Sequence, residues 1–231
     1  LLAMVVNDVA YCLDERGALQ SIASKLRAYS ESPVFFSASW RASMAVANGF
    51  KTLAGLALVM IAVQVLNSLS GYSLNLFGLI PRTLQGLPGI LASPFLHGSF
   101  THLTANLVPF LILGAMVIAE GQRRFVVVSL IIILLGGALV WLFGFRGIHV
   151  GASAWVFGLW AYILTRAWLL RSWSSLLAAA VTMFLYSGLV LGFLPRAGVS
   201  FEGHIFGAFA GFIAAKVLLS GAKPMSNAAR Q

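Results

Sequence analysis

One small hydroxyl residue sits among glycines and alanines where a loop turns into a long apolar run, Gly151-Ala-Ser153-Ala-Trp-Val-Phe-Gly158. A polar side chain entering a membrane span is costly, and such residues usually face the bundle interior, where they bond a neighbour or do chemistry. Serine becomes a nucleophile when a base within hydrogen-bond reach accepts its proton, and histidine is the usual partner. His204 opens the last apolar run in similar surroundings, with Gly203, Gly207 and Gly211 about it. A third polar group stands at the head of another run, His97-Gly-Ser-Phe-Thr-His102-Leu-Thr-Ala-Asn106. His102 and Asn106 are i and i+4, so they share a helix face. Packing explains any one of these residues alone. It does not explain why three polar groups stand at matching ends of three different runs.

The elements that must position them are membrane spans. The chain has 231 residues, of which 60% are hydrophobic and only 9% charged. A soluble domain carries about 25% charged residues. Six runs approach the ~20 residues that cross a hydrocarbon core, at roughly 52–70, 101–119, 125–145, 153–170, 175–194 and 204–221. The fold class is therefore all-α, a polytopic six-helix membrane bundle. Short connectors join most spans and imply antiparallel neighbours. The exception is Gly71 to Phe100, rich in Gly, Pro, Leu and Phe, which reads as an interfacial segment. Residues 1–50 hold Asp8, Asp14, Glu15 and Glu31 and read as a cytoplasmic or interfacial lead-in. Residues 51–221 form the membrane domain and 222–231 a short cytoplasmic tail.

Lys and Arg fix the expected orientation. Twelve of the fifteen lie on the side of the N terminus, leaving Arg82, Arg146 and Arg196 opposite. The positive-inside rule then makes both termini cytoplasmic and puts Ser153, His204, His102 and Asn106 near the outer surface. The net charge of +9 is scattered between spans and forms no nucleic-acid patch.

Inventory excludes other chemistries. The single Cys12 rules out an internal disulfide framework and cysteine-built metal sites. There is no His-Glu-x-x-His motif and no intramembrane aspartate pair, so neither metal nor cofactor is expected. Gly-x-Ser-x-Gly would need glycine where Trp155 stands. A solute transporter would place charges near the bilayer middle, and none is there. No acid is expected in the outer half of any span, so a triad aspartate is unavailable and Glu202 reads as a solvated loop acid. His149, nearer to Ser153 in sequence, is the rival base. It belongs to a connector and would have to fold back over the nucleophile. His97 reads as a structural loop histidine. Ala154, Gly158 and Ala161 on one span and Gly203, Gly207 and Gly211 on another form small-residue stripes through which two backbones can approach.

Between Gly71 and Gly211 the chain resembles the rhomboid intramembrane serine proteases. The likeness is carried by His97, His102 and Asn106, by Gly151-x-Ser153 with Gly158, and by Gly203-His204 with Gly207 and Gly211. It implies a rhomboid-like bundle in which Ser153 is the nucleophile, His204 the base, and His102 and Asn106 contribute to an oxyanion hole. Gly151, Phe157 and His97 would support the site. Phe157 stands where many members have tyrosine, and keeps a ring to lie on His204. Ala154 replaces a common glycine. Glu120 lies fourteen residues beyond Asn106, against about twelve in many members, and is left outside the site.

The expected activity is a Ser-His endopeptidase that cuts single-span or polytopic membrane proteins in or near their transmembrane segments, at the outer leaflet. The implied setting is a lipid bilayer, a bacterial inner membrane. The alternative is a non-catalytic relative that binds transmembrane clients through the same groove.

Overall fold

The computed structural model describes residues 33–195 and 200–220, with Gly17, Gln20 and Ser24. The tail at 222–231 and most of the lead-in at 1–50 lie outside the described residues. The chain divides into two compact units, Leu1–Ala47 and Asn48–Gln231. Among the described residues, six helices are long and apolar enough to cross a membrane. They are α1 (Pro33–Leu69, apolar from Ala47), α2 (Phe100–Ile118), α3 (Gln122–Phe143), α4 (Ser153–Leu170), α5 (Trp173–Tyr186, its span running on to Phe193) and α6 (Phe201–Leu219). The protein is an all-helical, multi-pass membrane protein.

Two boundaries and one internal turn differ from the sequence expectation in ways that matter. α6 starts at Phe201 instead of 204, because Ser200 caps it by accepting the Gly203 N–H at 3.3 Å. His204 therefore lies at the end of the first turn, and Glu202 falls inside the helix. α5 stops at Tyr186 and continues as a 3₁₀ segment, Ser187–Phe193. Glycines at 188 and 192 lower helix propensity there. α3 contains a π-helical turn at Ile132–Gly136.

Each helix buries the face its sequence makes smooth or apolar. On α1, Leu53, Ala57, Met60, Gln64 and Asn67 are all buried and recur at steps of four and three, a single stripe. The most extensive helix pairing is between α4 and α6. A Cβ at Gly207 would collide with the Ala154 carbonyl, and one at Gly211 with the Gly158 carbonyl. Gly203 does not extend this stripe; it faces its own Ser200 side chain. Gly158 also lies under Ile132 of the π-helical turn. Trp155 wedges between α2 and α3, its ring 4.6 Å from Phe110 and its Nε1 donating to Ser129 Oγ at 3.0 Å.

The end of the bundle remote from Ser153 is closed by charge. Glu120 pairs with Arg124 at 3.4 Å and Arg166 at 2.9 Å, and accepts from the Tyr162 hydroxyl at 3.1 Å. Arg166 lies thirteen residues along α4 from Ser153, or about 20 Å. Glu120 thus ties α2, α3 and α4 together far from the serine.

The connector between α1 and α2 forms short helical turns against the Phe143 end of α3. Arg82 donates to the carbonyls of Leu142 and Gly144 at 3.1 and 2.9 Å, and Trp141 Nε1 donates to the Thr83 carbonyl at 2.8 Å. Leu76, Phe77 and Leu84 project outward from it, as befits a segment lying in the interface.

Backbone collision cannot be relieved by a rotamer change, so Gly207→Ala should lower stability by about 1–3 kcal/mol. Gly55 has nothing within 4 Å of an added Cβ, and Gly55→Ala should be neutral or stabilising by up to about 1 kcal/mol. Unfolding of both variants in detergent micelles, followed by circular dichroism, checks the contrast.

Candidate active site

α4 and α6, held at backbone contact, each begin at the same end of the bundle, and α2 begins beside them. Ser153, His204, His102, Asn106 and Phe157 all line one cavity of about 570 Å³, with Gly192 and Ser200 on its wall. The structure thus brings together the serine, both histidines and the asparagine singled out in the sequence.

Ser153 is the first residue of α4. The two amides before it are occupied: Gly151 N–H donates to the Ser93 carbonyl at 2.9 Å, and Ala152 N–H to His97 Nε2 at 3.4 Å. The amides of Ser153, Ala154 and Trp155 have no hydrogen-bond partner among the described residues, as helix geometry requires of a first turn. The positive end of the helix dipole adds to them. The Ser153 hydroxyl is likewise engaged by none of the described residues.

His204 is buried and held on two sides. Its ring stacks on Phe157 with centroids 4.1 Å apart and planes 3° from parallel. Its Nδ1 lies 2.7 Å from the Gly192 carbonyl oxygen. A carbonyl only accepts, so Nδ1 carries the hydrogen and Nε2 keeps its lone pair. That is the tautomer of a general base. Gly192 permits the approach, since a Cβ there would lie 2.5 Å from Phe157 Cζ and 3.1 Å from His204 Nδ1.

On α2, Ser99 caps the helix by accepting the His102 N–H at 3.0 Å. Asn106 is 5% exposed and spends one amide hydrogen on the His102 carbonyl at 3.1 Å, leaving the other available. Gly151, at φ +115°, occupies a conformation that suits glycine, and a Cβ there would stand 2.7 Å from His102 Cε1 and Nε2.

His97 is completely buried and supports the site from behind. Burial above all, and then the neighbouring His102, hold its pKa down at about 4; the Phe95 carbonyl pulls weakly the other way without meeting hydrogen-bond geometry. A neutral ring is what lets Nε2 accept the Ala152 N–H. The His97 carbonyl in turn receives Asn67 Nδ2 at 3.1 Å and Asn75 Nδ2 at 3.5 Å. Asn67 was visible in the sequence as an amide inside an apolar span. The Gly192 carbonyl left no side-chain signal at all.

One sequence expectation needs correction, and the rival base stands where the sequence reading left it. Glu202 is not a solvated loop acid: it is 8% exposed, lies in the first turn of α6, and accepts the Phe145 N–H at 3.3 Å. An acid therefore does occupy the first turn of a span at the Ser153 end, although it bonds away from His204. His149 does not lie over Ser153 as a free base. Its Nε2 lies 2.9 Å from the Phe145 carbonyl and its Nδ1 2.7 Å from Ser200 Oγ. Among the described residues no group of three or more His, Cys, Asp or Glu could hold a metal ion.

A multi-pass helical bundle with a polar cavity set among three helix starts is the class that fold and site define. The rhomboid-domain family profile matches residues 85–221, more than half of the chain, and the chain belongs to the rhomboid family. It is 37% identical to a Mycobacterium tuberculosis protein described as uncharacterized, over 180 residues that make up 74% of this chain and 75% of that one. A Mycobacterium leprae protein, also described as uncharacterized, is 33% identical over 167 residues, 68% of this chain and 66% of the relative. The RHOMBOID-like protein 5 of Arabidopsis thaliana is 33% identical over 136 residues, 54% of this chain and 43% of the relative.

Gly151→Ala forces a side chain into a left-handed backbone and into His102, so it should destabilise by about 1–3 kcal/mol. Fluorophosphonate labelling of Ser153 should slow by tenfold or more, on the order of what a displaced catalytic group costs. A labelling time course alongside detergent unfolding measures both.

Proposed function

We propose that the protein is an intramembrane serine endopeptidase acting through a Ser153–His204 dyad on transmembrane segments of other membrane proteins. The observation that carries this is the His204 ring, fixed by Gly192 and Phe157 with its basic Nε2 free, lining the same cavity as an unengaged serine. Ser153 Oγ attacks the scissile carbonyl carbon as its proton passes to His204 Nε2. Charge gathers on the carbonyl oxygen, where the second Asn106 amide hydrogen, His102 and the first-turn amides of α4 are the available donors. Collapse breaks the C–N bond, the imidazolium gives its proton to the departing amine, and water then hydrolyses the acyl-serine by the reverse proton path.

The Gly192 carbonyl takes the orienting part that an aspartate plays in a triad. A client-binding relative without catalysis would have no need of a base in one tautomer beside a free hydroxyl.

A peptide bond in a regular helix has its carbonyl hydrogen-bonded, so a substrate must arrive locally unwound. The site's place at one end of the bundle puts the scissile bond near one interface, in a segment broken by Gly or Pro. Small residues suit the glycine-lined surroundings of Ser153. Lateral access lies beside α5, whose outward residues include Trp173, Leu177 and Phe184. The Glu120 end carries Arg123, Arg124, Arg166, Arg171 and Lys216, against Arg82 and Arg146 at the Ser153 end. Positive charge then sets the first end in the cytoplasm and the site at the outer leaflet.

Ser153→Ala or His204→Ala should reduce cleavage of a reporter transmembrane substrate by about a thousandfold or more, whereas His149→Ala should leave a measurable rate. A dead His149→Ala variant beside an active His204→Ala variant would reverse the assignment of the base. Asn106→Ala and His102→Ala should lower kcat by roughly 10²–10³ while sparing KM, because their donors meet full charge only in the transition state. In a Cys12→Ala background, Arg146→Cys should react with an impermeant maleimide added to intact cells and Ser174→Cys should not; the opposite pattern would put the site on the cytoplasmic side.

A further inference from the structure

His149 and Ser200 each stand four residues before a member of the dyad, and they are bonded to each other. The separations follow from the numbering, 153 less 149 and 204 less 200. The Nδ1 to Oγ distance is 2.7 Å. On one side, His149 continues through Val150 into Gly151 and Ala152, whose amides are fixed on Ser93 and His97. Its own N–H and carbonyl pair with those of Leu79 at 2.8 and 3.0 Å. On the other side, the Ser200 carbonyl accepts the backbone N–H of His204 itself at 3.4 Å.

Hydrogen assignments around this contact close without remainder. The Phe145 carbonyl can only accept, so His149 Nε2 carries the hydrogen and Nδ1 is the acceptor. Ser200 then donates its hydroxyl hydrogen to Nδ1, while its oxygen accepts the Gly203 N–H. Glu202 Oε1 takes the Phe145 N–H at 3.3 Å and stands 3.8 Å from His149 Nδ1. His149 thus has no lone pair left over for the Ser153 proton. Its place is mechanical: the ring ties the connector that carries the nucleophile to the cap of the helix that carries the base. Gly207 and Gly211 fix the spacing of α4 and α6 farther along the helices, and they leave the angle at the outer ends open.

We propose that the His149–Ser200 hydrogen bond, with Glu202 holding Phe145 behind the His149 ring, is a clasp that sets the relative position of the Ser153 and His204 backbones. His149 and Ser200 are positioning residues, and the inference rests on the dyad reading above. Breaking the clasp acts on dyad alignment, so the loss falls on kcat more than on KM.

The test is a double-mutant cycle in the full chain reconstituted in liposomes, with His149→Ala, Ser200→Ala and the double variant. Each single change should lower kcat on the reporter substrate, and the rate of fluorophosphonate labelling, by about 10- to 30-fold, with KM within about twofold. The double variant should be no slower than the slower single variant, within about twofold, because the bond the two residues share is already lost in each single variant. Ser200→Thr, which keeps the hydroxyl, should retain at least about a third of the rate. Losses that multiply in the double variant, or that fall on KM, overturn the clasp. Hydrogen exchange provides a readout independent of catalysis. His149→Ala should speed exchange at the start of α6, and Ser200→Ala should speed it in residues 145–152. An even rise across all helices, or no change at the facing segment, overturns the proposal. If wild-type protein neither cleaves nor labels, the protease reading fails while the exchange measurement still decides the clasp. Where His149→Ala does not fold, His149→Asn, which keeps an acceptor near the δ position, replaces it in the cycle with the same expectations.

Discussion

Everything at the Ser153 end depends on two backbones touching. Where Gly207 meets the Ala154 carbonyl and Gly211 meets the Gly158 carbonyl, no side chain separates α4 from α6. Helices in lipid gain nothing from burying apolar surface against each other, so association rests on close van der Waals packing, which small residues allow. At such short range the first residue of one helix and the fourth of the other share a cavity. The α2 start, with His102 and Asn106, completes its wall.

The site is also assembled by spending hydrogen bonds selectively. Gly151 and Ala152 have given their amides away, whereas the three that follow have not. His97 takes part only because burial keeps it neutral, and Asn67 and Asn75 hold it through its carbonyl. The charged staple of Glu120, Arg124 and Arg166 at the far end fixes the splay of α2, α3 and α4 without touching the cavity. Among the six spans α4 is thus the most buried, while α5 is the span with the least of its surface buried.

Much of this was legible in the residues. Apolar run lengths gave six helices because a hydrocarbon core demands them, and glycines at every fourth position marked the tight interface. Ser153, His204, His102 and Asn106 stood out because polar groups in spans are rare. What could not be read is what main-chain atoms do. The Gly192 carbonyl and the early start of α6 depend on chain geometry that leaves no pattern in side-chain type. Glu202 misled for the same reason: beside a presumed loop it reads as solvated, and only the cap at Ser200 draws it into the helix. His149 drew attention for its nearness to Ser153, but bonding at both ring nitrogens gives it a different part.

The 3₁₀ stretch from Ser187 to Phe193 belongs to α5 by sequence and to His204 by contact, through the Gly192 carbonyl. Displacing that stretch outward to admit a substrate withdraws the acceptor from His204 Nδ1 and frees the imidazole to change tautomer. On the dyad reading, an open wall and a poised base are then mutually exclusive states of one segment. An interlock of this kind would delay bond cleavage until the wall had returned behind the bound chain, and would spare membrane neighbours that merely brush past the opening.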